Sequence, residues 1–176
     1  MANNSPLQTY RTIAVTGHRT IHHASAIRKA LGKFLSDLGL EEPILLTSLA
    51  EGADRLAAHE ILRLSNARIR AVLPFSPEEY ISDFQSSASR NEWNHLLSLA
   101  DEIVVMPPRP TRTQAYLAAA CHIVDKCDFL LAVWDGKPAR GEGGTAEVVA
   151  YAREQKRPLV IFDSEDPTRV VRENWT

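Results

Sequence analysis

Four glycines, Gly136, Gly141, Gly143 and Gly144, fall in the stretch LAVWDGKPARGEGGTAEVVAYA (residues 131–152), between a strand-like run ending at Asp135 and a helix-like run opening at Thr145. A helix needs one cap, so a glycine cluster here means unusual backbone angles or a partner that comes very close to the main chain. The start of a helix has free N–H groups and a positive dipole end, and glycines remove the Cβ atoms that would keep a phosphate away. The chemistry favoured is anion binding at Gly136, Gly143, Gly144 and Thr145, where Thr145 adds a hydroxyl or simply caps the helix, and Lys137 and Arg140 close over the anion or are solvated loop charges. Asp135, at a strand end, suits a ribose hydroxyl.

Two further junctions carry related residues. In VTGHRT (15–20), Gly17 follows a strand at once, with His18 and Arg19 next. An arginine there suits a phosphate or carboxylate, and an ordinary turn with solvated side chains is the alternative. In TSLAEGADRLAAHE (47–60), Ser48 and Glu51 have the spacing of a capping box. Gly52 weakens that explanation, because glycine in a first turn costs roughly 1 kcal/mol against alanine. A backbone pressed against a ligand accounts for it, and Asp54 and Arg55 either pair with neighbours or point into a site.

Cleavage of an N-glycosidic bond needs a carboxylate, as nucleophile or base, beside the sugar carbon that develops positive charge. Glu51, Asp54, Asp135 and Glu147 are the candidates, with Glu147 first by position. A glutamate in a first turn equally complements the helix dipole. His18, His22 and His23 cluster without a cysteine or carboxylate at ligand spacing, so no metal site is expected. The chain has no G-x-G-x-x-G after its first strand, no G-x-x-x-x-G-K-[ST] loop and no G-x-S-x-G elbow. No cofactor is therefore expected.

The elements that must hold these residues are legible as short apolar runs: 12–16, 44–48, 68–74, 102–107, 129–135 and 158–162. Most are continuously apolar, as strands covered on both faces tend to be. Between them lie helical stripes, Ile27, Leu31, Phe34, Leu35 and Leu38 in one, Leu56, Ala57, Ile61 and Leu62 in another, Val148, Val149 and Ala152 in a third. The expectation is an α/β, Rossmann-like open sheet of about six mostly parallel strands with helices on both faces. A long third crossover (75–101) holds two helices, the first opened by Ser76 as cap and Pro77. The 176 residues read as a single domain, with a core over 12–163 and a polar C-terminal tail, 164–176, that the pattern leaves unplaced. In such a sheet ligands bind beyond the carboxyl ends of the strands, which is where all three glycine junctions lie.

Composition narrows the partners. A formal charge of −2 gives no electrostatic case for nucleic acid or a membrane surface. No apolar run approaches the ~18 residues of a membrane span, the N-terminus lacks a signal-peptide plan, and two cysteines six residues apart form neither a metal nor a disulfide pattern. A cytoplasmic protein with a small-molecule nucleotide ligand is expected. The oligomeric state is left open, although the long crossover offers a surface for self-association.

At these junctions the chain resembles a known superfamily. SLAEGADRLAAH resembles the S-G-L-A-x-G-I-D-x-x-A-H segment of the DNA-processing protein A family, and GEGGTAE resembles the P-G-G-x-G-T-x-x-E loop of the LOG cytokinin phosphoribohydrolases. Together with VTGHR, these motifs look like a bacterial stand-alone member of the SLOG superfamily of Rossmann-like domains, which bind nucleotides or nucleotide-derived ligands. The likeness runs from Thr12 to Phe162. It implies a phosphate on the loop before the last helix, and a catalytic glutamate in the LOG branch. In that branch the glutamate stands three residues after the threonine, whereas Glu147 stands two after Thr145, a slip of roughly 100° around a helix. The family's Arg–Lys pair has Arg90 and Asn91 as its nearest counterpart, and Ser48 and Thr47 stand where the other segment has glycine and serine. Anion binding needs only the glycines and Thr145. A nucleotide-binding domain is thus the first expectation, an N-glycosidic phosphoribohydrolase the second, and a single-stranded nucleic-acid binder or interaction module the third.

Overall fold

The computed structural model describes residues 11–138 and 144–175. Gly141, Gly143 and Arg140 of the glycine loop lie outside the described residues. The elements run β1 (Thr12–Gly17), α1 (Ala24–Asp37), β2 (Ile44–Thr47), α2 (Ala53–Ile61), β3 (Arg68–Leu73), α3 (Pro77–Tyr80) and α4 (Ser87–Ser98). They continue with β4 (Glu102–Val105), α5 (Arg112–Lys126), β5 (Phe129–Trp134), α6 (Thr145–Glu154), β6 (Leu159–Asp163) and β7 (Val170–Glu173). All six expected strands are present.

The strands form one sheet in the order β4-β3-β2-β1-β5-β6-β7. Pairing is parallel throughout except for β7, which runs antiparallel to β6 with Ile161 opposite Val171. The chain steps outward from β1 to β4, crosses back through α5 and continues on the other side of β1. The order therefore reverses between β1 and β5, where the sequence-distant halves meet.

Period-two alternation sends side chains to two cores. On one face Ile13, Val15, Leu131 and Val133 pack with Ile27, Leu31 and Phe34 of α1, Ala57 and Ile61 of α2, and Trp93 and Leu96 of α4. On the other, Ala14, Leu130 and Ala132 pack with Ile123 and Val124 of α5 and Val149 and Ala152 of α6. The helices thus cover both faces, as the near-continuous apolar runs require. The exception is the edge strand β4, where Ile103 and Val105 are each 46% exposed.

The tail is part of this architecture. Its residues 170–173 add the seventh strand, and the Trp175 ring lies 5.2 Å from Phe129 and 5.9 Å from Phe34, edge-on to both. Arg153 of α6 holds Glu173 by two hydrogen bonds, at 2.8 and 2.7 Å. A four-residue strand with alternating charge sits at an edge and needs no apolar run, which is why the pattern leaves it unplaced.

Candidate functional site

At the C-terminal ends of β1 and β5 the sheet opens into a cleft of about 630 Å³. Of the residues singled out by sequence, it gathers Gly17, His18, Arg19, Ser48, Asp54, Asp135, Gly144 and Thr145 in its walls. It does not gather Glu51, Gly52, Arg90, Gly136 or Glu147, which are outside its lining. The three junctions thus converge, with a different division of labour among their residues.

The β1–α2 junction is built by backbone packing. His18 donates its N–H to the Val133 carbonyl of β5 at 3.1 Å and accepts from Ala53 N–H of α2 at 3.2 Å, so one residue ties β1 to both neighbours. A Cβ on Gly17 would come within 2.6 Å of the Val133 oxygen. Gly52 has φ +80, and a Cβ there would overlap the His18 and Arg19 carbonyl oxygens. The close approach that its glycine implies is made by the protein's own main chain, not by a ligand.

The expected capping box does not form, because α2 begins beyond it, with Gly52 as N-cap and no side-chain cap. Ser48 Oγ instead donates to the Val72 carbonyl at 2.8 Å, and Glu51 accepts from Ser89 Oγ of α4. The turn is organised by Asp54, whose Oδ2 accepts from Thr47 Oγ1 (2.7 Å), Ser48 N–H (3.1 Å) and Ala50 N–H (3.4 Å). Burial pushes the Asp54 carboxyl up to about 6, against those hydrogen bonds and the nearby Arg19 guanidinium, which favour the charged form. Arg55 points away, bonding the Leu49 carbonyl and Glu92. Arg90 is occupied likewise, donating to the Phe84 and Gln85 carbonyls at 2.7 and 2.9 Å.

The β5–α6 junction supplies the polar end of the cleft. Gly136 has φ +74 with open space around it, so its glycine answers a backbone requirement. Gly144, the N-cap of α6, has φ −87 and ψ 170, an extended conformation open to any residue. Conformation does not account for its lack of a side chain; among the described residues the helix start has no side-chain cap. Asp135 sits 3.3 Å from His18 Nε2 and 3.4 Å from Lys137 Nζ. Burial opposes its charge, but the Lys137 N–H and the His18 ring outweigh it and hold the carboxyl below its ordinary range. Arg19 lies 5.7 Å from the centre of the Tyr116 ring and forms no ion pair with a described carboxylate.

Part of the lining is apolar. Tyr116, Ala120, Ile123 and Val124 project from one face of α5, joined by Trp134. The spacing i, i+4, i+7, i+8 is written in the sequence, but an apolar helix face reads as core until the structure places it in the lining of the cleft. Ser164 and Glu165, just beyond β6, complete the lining. They belong to the tail that the pattern did not place. Among the described residues no group of histidine, cysteine and carboxylate side chains has metal-binding geometry, and no helix is long and apolar enough to cross a membrane.

No family model and no curated protein matches the chain. Solved structures do. DNA processing protein A from Helicobacter pylori, described for its single-stranded DNA binding mode, aligns with a TM-score of 0.58 at 17% identity, over 87% of this chain and 65% of that one. The chain thus spans just under two thirds of that protein. TM1055, a structural-genomics target, aligns with a TM-score of 0.52 at 14% identity, over 85% of this chain and 72% of the other. The fold is the Rossmann-like α/β arrangement of these structures. At these identities the likeness is one of fold, and it agrees with the resemblance carried by the motifs.

Proposed function

We propose that the chain, as a single cytoplasmic domain, binds a nucleotide or nucleotide-derived small molecule in this cleft, with a phosphate on the α6 start at Gly144 and Thr145, beside Arg19. The observation that carries the reading is the meeting of two opposite environments in one cleft. A helix N-terminus with no side-chain cap among the described residues and a guanidinium without a described carboxylate partner share the lining with the apolar face of α5 and Trp134. A ligand with an anionic end and a flat heterocycle fits both.

A single-stranded nucleic acid, the ligand class in the description of the Helicobacter protein, draws on a basic groove. Here Asp54, Asp135 and Glu165 share the lining with Arg19 and Lys137, which favours a small ligand over a polyanionic strand. Of the four candidate catalytic carboxylates, Glu51 and Glu147 lie outside that lining, and Asp54 and Asp135 lie in it but already accept hydrogen bonds from the protein's own groups, which favours a reading of binding. The test is thermal denaturation with a panel of nucleoside mono-, di- and triphosphates, for wild type and Arg19→Ala. A ligand selective for the folded state adds about 2.7 kcal/mol at a hundredfold excess over Kd. The expected result is a concentration-dependent rise that shrinks in the variant. No rise with any nucleotide, from a well-folded protein, overturns the proposal. Chromatography of the same mixtures reads free base, which only an N-glycosidic hydrolase would release.

A further inference from the structure

Ser164 stands directly after β6, and its N–H donates to the Trp134 carbonyl at 3.2 Å, which sets it beside the end of β5. The residue is 4% exposed, lines the cleft, and its Oγ is buried with no hydrogen-bond partner among the described residues. Its surroundings are otherwise satisfied. Asp163 Oδ1 accepts from the N–H groups of Glu165 (2.9 Å) and Asp166 (3.2 Å), and Asp166 Oδ1 accepts from Thr168 N–H (3.0 Å) and Oγ1 (2.7 Å). The pairing of β6 with β7 then locks the turn from below. The turn bonds its aspartates and the N–H groups of Glu165, Asp166 and Thr168 and leaves out one buried hydroxyl, which, unlike the other unpartnered buried atoms among the described residues (on Arg55, Trp93 and Arg157), belongs to a residue of the cleft lining.

The charge around Ser164 says what kind of group it meets. Glu165 follows it in the lining, and Asp135 follows the residue whose carbonyl it bonds. Asp135 is already matched by His18 and Lys137, and Glu165 adds a further carboxylate, so this side offers no spare positive charge to a phosphate, which is drawn instead to Arg19 and the α6 start. The carboxylates suit a neutral hydroxyl group, able to donate to a carboxylate while it exchanges a hydrogen bond with the serine. A rotation about χ1 moves Oγ among three staggered positions without disturbing the turn.

We infer that Ser164 is a ligand-contacting residue whose hydroxyl bonds a sugar hydroxyl group, so that the cleft selects ribonucleotides over a deoxy counterpart. The inference rests on the nucleotide reading and adds the recognition of the sugar to it. It assigns a purpose to the β6–β7 hairpin, which holds Ser164 at the cleft.

The test is calorimetric titration of wild type, Ser164→Ala and Arg19→Ala with AMP, GMP, CMP and UMP and with their 2′-deoxy and 3′-deoxy counterparts, beside urea melts of each protein. The expected result is a roughly 5- to 20-fold weaker ribonucleotide affinity in Ser164→Ala. The deoxy form that lacks the contacted hydroxyl should bind both proteins equally, and the urea midpoint should not fall. Equal weakening of ribo and deoxy forms, unchanged affinity, or a lower midpoint overturns the inference, the last because a serine with a structural partner destabilises on truncation. Binding by wild type that is weakened in Arg19→Ala but not in Ser164→Ala sinks this inference alone. Binding of none of the probes by wild type sinks the nucleotide reading and this inference with it.

Discussion

Replacing Gly144 by aspartate should move stability and ligand affinity in opposite directions. The backbone there is already extended, at φ −87 and ψ 170, as an N-cap residue requires, so the side chain brings no strain. An aspartate N-cap is a few tenths of a kcal/mol better than glycine, and a carboxylate at the dipole's positive end adds about 0.3–1 kcal/mol. Together these should raise the melting temperature by about 1–4 °C for a domain of this size. The same carboxylate occupies the place assigned to the phosphate. Two unit charges ~4 Å apart near a protein surface repel by about 4 kcal/mol, on the order of a thousandfold in affinity. Thermal denaturation with and without nucleotide reads both effects in one experiment. A Gly144→Asp protein that melts higher and no longer responds to ligand supports the argument. Retention of the full ligand-induced shift refutes the placement of the phosphate, and a lower melting temperature refutes the capping geometry.

Other perturbations test the scaffold. Gly52→Ala drives a Cβ into the His18 and Arg19 carbonyls at φ +80, so a loss of about 3 kcal/mol or more is expected in urea melts; a loss under about 1 kcal/mol would mean that the junction is looser than described. Asp54 is raised to about 6 from 3.8, so the fold binds its proton more tightly than the unfolded chain does. Its contribution is present below about pH 3.8 and is lost as pH rises through about 6, on the order of 3 kcal/mol. Asp54→Asn keeps an acceptor oxygen for the three donors and does not titrate, so the difference between wild-type and variant stability should follow that window; a difference constant from pH 4 to 7 contradicts it. Trp175→Ala removes the ring set against Phe34 and Phe129 and should cost about 1–3 kcal/mol; an unchanged urea midpoint would show that the tail adds nothing to the core.

What the chain discloses before folding depends on the range of the interaction involved. The inner parallel strands are legible because burial on both faces demands unbroken runs such as FLLAVW, the exposed edge strand β4 because its run EIVV is apolar all the same, and the fold class follows from their alternation with striped helices. β7 is not, since an edge strand reading VVRE answers to its neighbour and not to a core on both sides. At the site, Gly17, Arg19, Gly144 and Thr145 are readable from strand-end placement. Gly52 is conspicuous in the sequence, but only tertiary structure shows that the backbone pressed against it is that of His18 and Arg19. The capping-box spacing of Ser48 and Glu51 misleads because both side chains find partners on other elements, Val72 and Ser89, before a helix can use them. Arg90 is spent on two carbonyls for the same reason. Ser164 carries no local signal at all, and its interest arises only from what surrounds it.

The reversal of strand order between β1 and β5 also has a kinetic side. β1 pairs early in the chain with β2, but its other edge waits for β5, and the first clasp between them, Asp128 Oδ2 on the N–H groups of Arg11 and Thr12 at 2.8 and 2.7 Å, joins residues more than a hundred positions apart. Closing so long a loop is slow, and during synthesis the N-terminal half must hold an open strand edge until residues near 129 emerge. The cleft is the seam of that closure, with Gly17 and Arg19 on the first half and Asp135, Gly144 and Ser164 on the second. It comes into being only when the halves have docked. A ligand seated across it is therefore a fastener, slowing the parting of the halves and holding the chain in its completed state.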